Sequence, residues 1–158
     1  MTNLNEDGSE QEFRITAEQL LRLDPASEED KRAEFRIGDL SREFGVTLRT
    51  LRFYEDRGLL SPERRGTTRI YSRRDRMRLR LVLLAKILGF SLTEAKQLID
   101  VYHQPDGQRK QLKVALSRFE EQREILEEQR REIEESLDAM RLTTEFVANC
   151  LTKLGDKA

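Results

Sequence analysis

Apolar residues recur at helical spacing through Ile37, Leu40 and Phe44, stop at Gly45, and resume at Leu48, Leu51 and Tyr54. That rhythm predicts two short amphipathic helices, because side chains three and four positions apart share one helix face. Gly45 suits the left-handed turn between them, and Thr47 suits the N-cap of the second. Leu48, Leu51 and Tyr54 can then turn inward, while Arg49, Thr50, Arg52 and Phe53 stay at or near the outer face. The pattern is a helix-turn-helix whose second helix is basic at its leading end.

Gly58 stops the second helix and Pro62 prevents its resumption. After the Gly66 turn, Thr67-Thr68-Arg69-Ile70-Tyr71 has β-branched and aromatic character, which predicts a short strand and a hairpin wing. Ser72 with Asp75 is a capping pair opening a third helix through Met77, Leu79, Leu83, Ile87 and Leu88 to Gly89. Ser91 with Glu94 opens a fourth, carrying Leu92, Ala95, Leu98 and Ile99.

Beyond the joint at Pro105, Asp106 and Gly107 the spacing alternates fours and threes through Leu112, Leu116, Phe119, Leu126, Ile133, Leu137 and Met140. It continues through Val147, Leu151 and Leu154, with Arg123, Arg130 and Thr144 filling the same register. A lone helix of this length leaves its apolar seam in water, so a partner helix is expected and the chain is predicted to form a homodimer in preference to a monomer folded back on itself. A seam arginine needs an opposing carboxylate, and Glu120, Glu121, Glu124, Glu127 and Glu128 lie nearby. The segment before residue 35 is different again. Its first ten residues are polar, and Phe13, Leu20, Leu21 and Leu23 mark at most a short helix before Pro25. An acidic, largely flexible extension is expected there, with a packed N-terminal arm as the other reading. The predicted organisation is therefore an extension over 1–34, a winged helix-turn-helix domain over 35–104, a dimerisation helix over 105–146 and a short segment over 147–158. The fold class is mainly α.

Charge sharpens this division. The formal net charge of −1 over 158 residues hides a block, residues 35–102, with 15 basic and 8 acidic side chains. Residues 1–34 hold 4 basic and 10 acidic. A basic block inside an acidic chain is the electrostatic footprint of a nucleic-acid binder. Thirteen of the 15 cations are arginine, whose planar fork suits bidentate contacts to phosphate and guanine. No apolar run is long enough to span a bilayer and no signal sequence opens the chain, so a cytoplasmic protein is expected. One cysteine, Cys150, agrees with a reducing compartment.

Four stretches in order carry a resemblance to a known family: Ile37–Val46 (IGDLSREFGV), Thr50–Leu60 (TLRFYEDRGLL), Arg69–Ser72 (RIYS) and Leu88–Leu98 (LGFSLTEAKQL). Together they resemble MerR-type transcription regulators over about residues 35–145. The resemblance implies a winged-helix head on a long helix that pairs antiparallel with its twin in a coiled coil. The two heads would then meet consecutive major grooves of a pseudo-palindromic promoter. It further implies bending and untwisting of double-stranded promoter DNA for RNA polymerase in response to a small-molecule effector. By position, Thr47, Arg49, Thr50, Arg52, Phe53 and Tyr54 fall on the recognition helix, and Arg69 and Tyr71 on the wing. Many members carry Gly-Tyr-Arg at the wing tip. Here Gly66-Thr67-Thr68-Arg69 replaces the aromatic, leaving Arg64, Arg65 or Thr68 as substitutes. Arg52 has a second reading as a surface salt bridge to Glu55 or Asp56, and Tyr54 one as core packing.

The sensing end is read by exclusion. Metal and iron–sulfur sensing need clustered thiolates, and Cys150, with or without His103 across a dimer, does not supply them, so no metal and no cofactor are expected. The run from Arg64 to Leu92 is similar to that of family members controlling leucine and isovalerate catabolism, which points to an acyl-CoA-type effector. Arg109, Lys110 and Lys113 are candidates for its phosphates, or else a solvated helix start. One histidine, no phosphate loop and scattered carboxylates argue against an enzyme. The competing class is a coiled-coil adaptor whose basic head binds protein or RNA.

Overall fold

The computed structural model describes residues 15–22, 32–102 and 107–155. The elements are α1 (Ala17–Arg22), β1 (Glu34–Arg36), α2 (Ile37–Phe44), α3 (Leu48–Asp56), β2 (Glu63–Arg65), β3 (Thr68–Ser72), α4 (Arg73–Ile87), α5 (Leu92–Tyr102) and α6 (Gln108–Gly155). They fall into two units divided after Gln111.

In the first unit, local chemistry sets each helix end. The Asp39 carboxylate accepts the Arg36 N–H at 2.8 Å at the start of α2. Gly45 ends that helix at φ 64°, where a Cβ would be strained. The Thr47 hydroxyl accepts the Thr50 N–H at 3.1 Å and caps α3. Both capping pairs expected for the next two helices are present. The Asp75 N–H donates to the Ser72 hydroxyl and the Ser72 N–H returns to the Asp75 carboxylate, each at 3.1 Å. Ser91 and Glu94 make the same reciprocal pair at 3.2 and 2.8 Å. Asp75 also accepts the Ser61 N–H at 3.0 Å, tying the loop after α3 to the start of α4.

The wing is larger than the expected hairpin. β2 and β3 pair antiparallel around the Gly66 turn, but β1 adds to the other edge of β3, giving the order β1-β3-β2. Phe35 stands opposite Tyr71 in that register, and both are buried. They join Leu40, Phe44, Leu51, Tyr54, Leu59, Leu60, Leu79, Val82, Leu83 and Ile99 in one core. Burial of each large aliphatic contributes about 1.5–3 kcal/mol before entropy is subtracted. Leu48, expected inward, is instead 40% exposed, because it sits on the first turn of α3 at the rim of that core.

Residues 15–22 depart from the flexible extension expected over 1–34. Helix α1 packs on α4, with Leu20 only 2% exposed inside the core. Its Thr16 hydroxyl accepts the Gln19 N–H at 3.2 Å and the Gln19 side chain accepts the Thr16 N–H at 2.8 Å. Phe13 and Leu23 lie outside the described residues.

The second unit is made of α6 from Leu112 onward; the whole helix has 48 residues, about 72 Å at 1.5 Å per residue. It runs without a break to Gly155, so the separate segment expected from residue 147 is a continuation of the same helix. Leu112, Leu116, Phe119, Leu126, Ile133, Leu137 and Met140 are exposed along it, as are Val147, Leu151 and Leu154. Pairs such as Arg141–Glu145 at 3.0 Å and Arg130–Glu134 at 3.9 Å support its polar surface.

Candidate nucleic-acid interface

Helix α3 positions the candidate residues by its amphipathic rhythm. Leu51 and Tyr54 point into the core, which turns Arg49, Arg52 and Phe53 outward. Thr47 is exposed at the N-cap, and Thr50 is half-buried with its hydroxyl 2.9 Å from that of Thr47. Arg49 and Arg52 are exposed, and neither makes an ion pair among the described residues. The salt bridge weighed for Arg52 is therefore not formed here: Glu55 is engaged elsewhere. Phe53 is 40% exposed, with the Arg57 guanidinium 5.1 Å from its ring centroid.

Two candidate contact residues face the interior instead. Tyr54 is 2% exposed and Tyr71 fully buried, and burial pushes both phenols above their ordinary pKa. The Tyr71 hydroxyl has no hydrogen-bond partner among the described residues. Their bulk holds α3 and β3 in place from beneath, and the folded head does not present them to a ligand.

On the wing, Arg64, Arg65 and Thr68 are exposed and Arg69 half-buried. Arg65 donates to both oxygens of Glu34 at 3.0 and 2.5 Å and reaches Glu63 at 3.4 Å. Those carboxylates raise the Arg65 pKa further, while the Arg65 hydrogen bonds hold Glu34 below its ordinary value. Arg64 and Arg69 both bond Glu55, at 3.0 and 2.6 Å. Burial opposes the Glu55 charge, but the hydrogen bonds from Arg69 and Arg64 outweigh it and lower its pKa.

Between the start of α2, the middle of α3 and the wing tip lies a cleft of about 420 Å³. Its lining includes Arg36, Arg42, Arg52 and Arg69, with Gly38, Asp39, Thr67 and Thr68. The one carboxylate there, Asp39, already accepts from Arg42 at 2.8 Å. Of the four guanidiniums, Arg42 is bonded by Asp39 and Arg69 by Glu55, which leaves Arg36 and Arg52 without an ion pair among the described residues, and such a lining suits an anion such as a phosphate. The structure thus brings Arg52, Thr68 and Arg69 together and adds Arg36, Arg42 and Thr67, which sequence reasoning missed. The available signal was the polar–apolar–polar order of Glu34, Phe35 and Arg36, which is too short to recognise as a strand.

Arg109, Lys110 and Lys113 are exposed on the first turns of α6, and the described residues form no ion pair with them. His103 lies outside the described residues, and Cys150 is exposed. Among the described residues, no three His, Cys, Asp or Glu side chains cluster as metal ligands, and no helix is long and apolar enough to cross a membrane.

Residues 35–101 match the family described as "MerR HTH family regulatory protein", and residues 76–142 match "MerR, DNA binding". The HTH-type transcriptional regulator HmrR of Rhizobium leguminosarum bv. viciae is 41% identical over 71 residues, covering 44% of this chain and 55% of its own. The chain spans about half the length, or less, of the curated relatives it matches. A MerR-family regulator from Bacillus cereus aligns with TM-score 0.60 and 30% identity, over 71% of this chain and 81% of that one. HiNmlR, a MerR-family regulator lacking the sensor domain and bound to promoter DNA, aligns with TM-score 0.53 and 25% identity, over 73% and 91%. The likeness in sequence and in backbone runs from the winged head into the long helix, and by it the chain belongs to the MerR helix-turn-helix family of regulatory proteins.

Proposed function

We propose that this protein is a dimeric, sequence-specific DNA-binding transcriptional regulator of the cytoplasm. Helix α3 enters the major groove of a pseudo-palindromic promoter, and the wing and the cleft beside it take backbone phosphates. The observation that carries this reading is the outward pair Arg49 and Arg52, without carboxylate partners among the described residues, the second of which lines an arginine-rich cleft. Arg52 is the candidate for bidentate base readout, and Arg36, Arg42, Thr68 and Arg69 for phosphate contacts.

The exposed seam of α6 supports a homodimer with antiparallel helices. Two heads so joined would bend and untwist the promoter spacer for RNA polymerase when an effector binds. An acyl-CoA-type metabolite suits the cations Arg109, Lys110 and Lys113, whose exposure supports phosphate recognition. DNA binding itself is tested by titrating the protein against its own upstream region and a shuffled duplex over a range of salt. The expected result is a strong preference for the upstream region, with affinity falling steeply as salt rises. Equal affinity for both duplexes would favour the adaptor reading, in which the head binds protein or RNA.

A further inference from the structure

Arg64 on β2 and Arg69 on β3 are cross-strand partners, directly opposite each other in the wing register. Like charges so placed repel, and here a single carboxylate from another element resolves the conflict. Glu55, in the last turn of α3, accepts Arg64 Nη2 through Oε1 at 3.0 Å and Arg69 Nε through Oε2 at 2.6 Å. One oxygen therefore goes to each strand of the hairpin. The pair with Arg69 is sheltered, with side chains 20% and 18% exposed, whereas Arg64 is half in solvent. This shelter lets charge-assisted bonds hold geometry where an open surface pair would not.

A carboxylate is an odd group to place beside a surface that meets phosphates. On charge alone, Glu55 weakens every duplex contact, specific or not. We infer that Glu55 is a positioning residue for DNA recognition: it locks both strands of the wing to the recognition helix, fixing the angle between the two elements that meet the duplex. It follows that Arg64 and Arg69 serve first to align the wing. Direct readout then falls to Arg49 and Arg52. The inference rests on the DNA-regulator reading, and its consequences are opposite to those of simple electrostatics.

The test is Glu55→Gln, with Glu55→Ala as the stronger variant, in the full-length protein. Binding is measured to the upstream region and to a shuffled duplex, and amide hydrogen exchange is followed in the free protein. The clamp predicts that affinity for the upstream region falls about tenfold while affinity for the shuffled duplex holds or rises. Amides of β2 and β3 should exchange several-fold faster, with those of α4 unchanged. A parallel gain of affinity for both duplexes would overturn the clamp and make Glu55 a plain electrostatic brake. Unchanged wing exchange would also overturn it, and faster exchange throughout the head would reduce Glu55 to a general stabilising residue. Absence of any sequence preference in the wild-type protein would instead defeat the regulator reading, while the exchange experiment would still decide the clamp.

Discussion

At the scale of single residues, carboxylates sort the arginines of the basic block into those already bonded and those left for a ligand. Arg76 is held by Glu43, Arg78 by Asp100 and the Leu59 carbonyl, and Arg65 by Glu34. Arg52 has no such partner among the described residues, and it borders the cleft. Arg52→Ala should accordingly leave the melting temperature unchanged and cost about 1–3 kcal/mol of promoter affinity, the usual worth of a bidentate base contact. Full affinity in a titration of labelled promoter would remove Arg52 from the readout. Glu55 gives a second expectation, through pH. Its folded pKa is lowered, so the stability it contributes is fully present above the ordinary glutamate value of about 4.3 and fades as pH falls through the folded value. Melting curves should therefore drop on acidification below about pH 4.3, and Glu55→Gln should show a shallower drop. Glu34 is also lowered, but its pair with Arg65 stands in solvent and adds little. Helical spacing was enough to put Arg49 and Arg52 outside. It also turned Tyr54 inward, but position within the family motif made Tyr54 and Tyr71 contact candidates, since an amphipathic ring reads equally well as contact or core until the opposing elements are known.

At the scale of elements, what could be read was whatever a few adjacent residues decide. The Thr47 cap, the Ser72–Asp75 and Ser91–Glu94 pairs and the Gly45 turn each need only four residues or fewer, so their signals survive in the bare chain. β1 was missed, and the packing of the short helix α1 was left undecided, for the opposite reason. β1 has three residues, and its pairing with β3 joins positions more than thirty apart. α1 owes its place to Leu20 packing in the core of the first unit, a contact with no local signature. The packing has a measurable consequence. Leu20→Ala should lower the unfolding free energy by about 2 kcal/mol or more, within the 2–5 kcal/mol range for such core truncations. Urea unfolding checks it, and a loss below about 0.5 kcal/mol would place α1 outside the cooperative unit.

At the scale of the whole molecule, net charge misleads and its distribution informs: −1 overall conceals the basic head. Length acts in the same way, because 48 residues in one helix carry an apolar seam that nothing within the second unit covers. The register of fours and threes made that seam legible, since a heptad repeat is a local property repeated many times. The helix runs past the expected boundary because Val147, Leu151 and Leu154 keep the register with no breaker before Gly155. In the proposed dimer the seam joins two heads, which would make promoter affinity a product of both contacts, and linking two binding modules multiplies affinity by roughly 10²–10⁴ over one alone. Leu126→Asp places a carboxylate within the seam, where each protomer would bury it without a partner. Sedimentation should then report monomers, with the head still folded and able to bind duplex weakly. Promoter affinity should fall further than in Arg52→Ala, which removes one contact per head and leaves the pairing intact. Persistent dimers in the Leu126→Asp protein would mean that another surface joins the protomers, and the two-headed grip would have to be rebuilt on that surface.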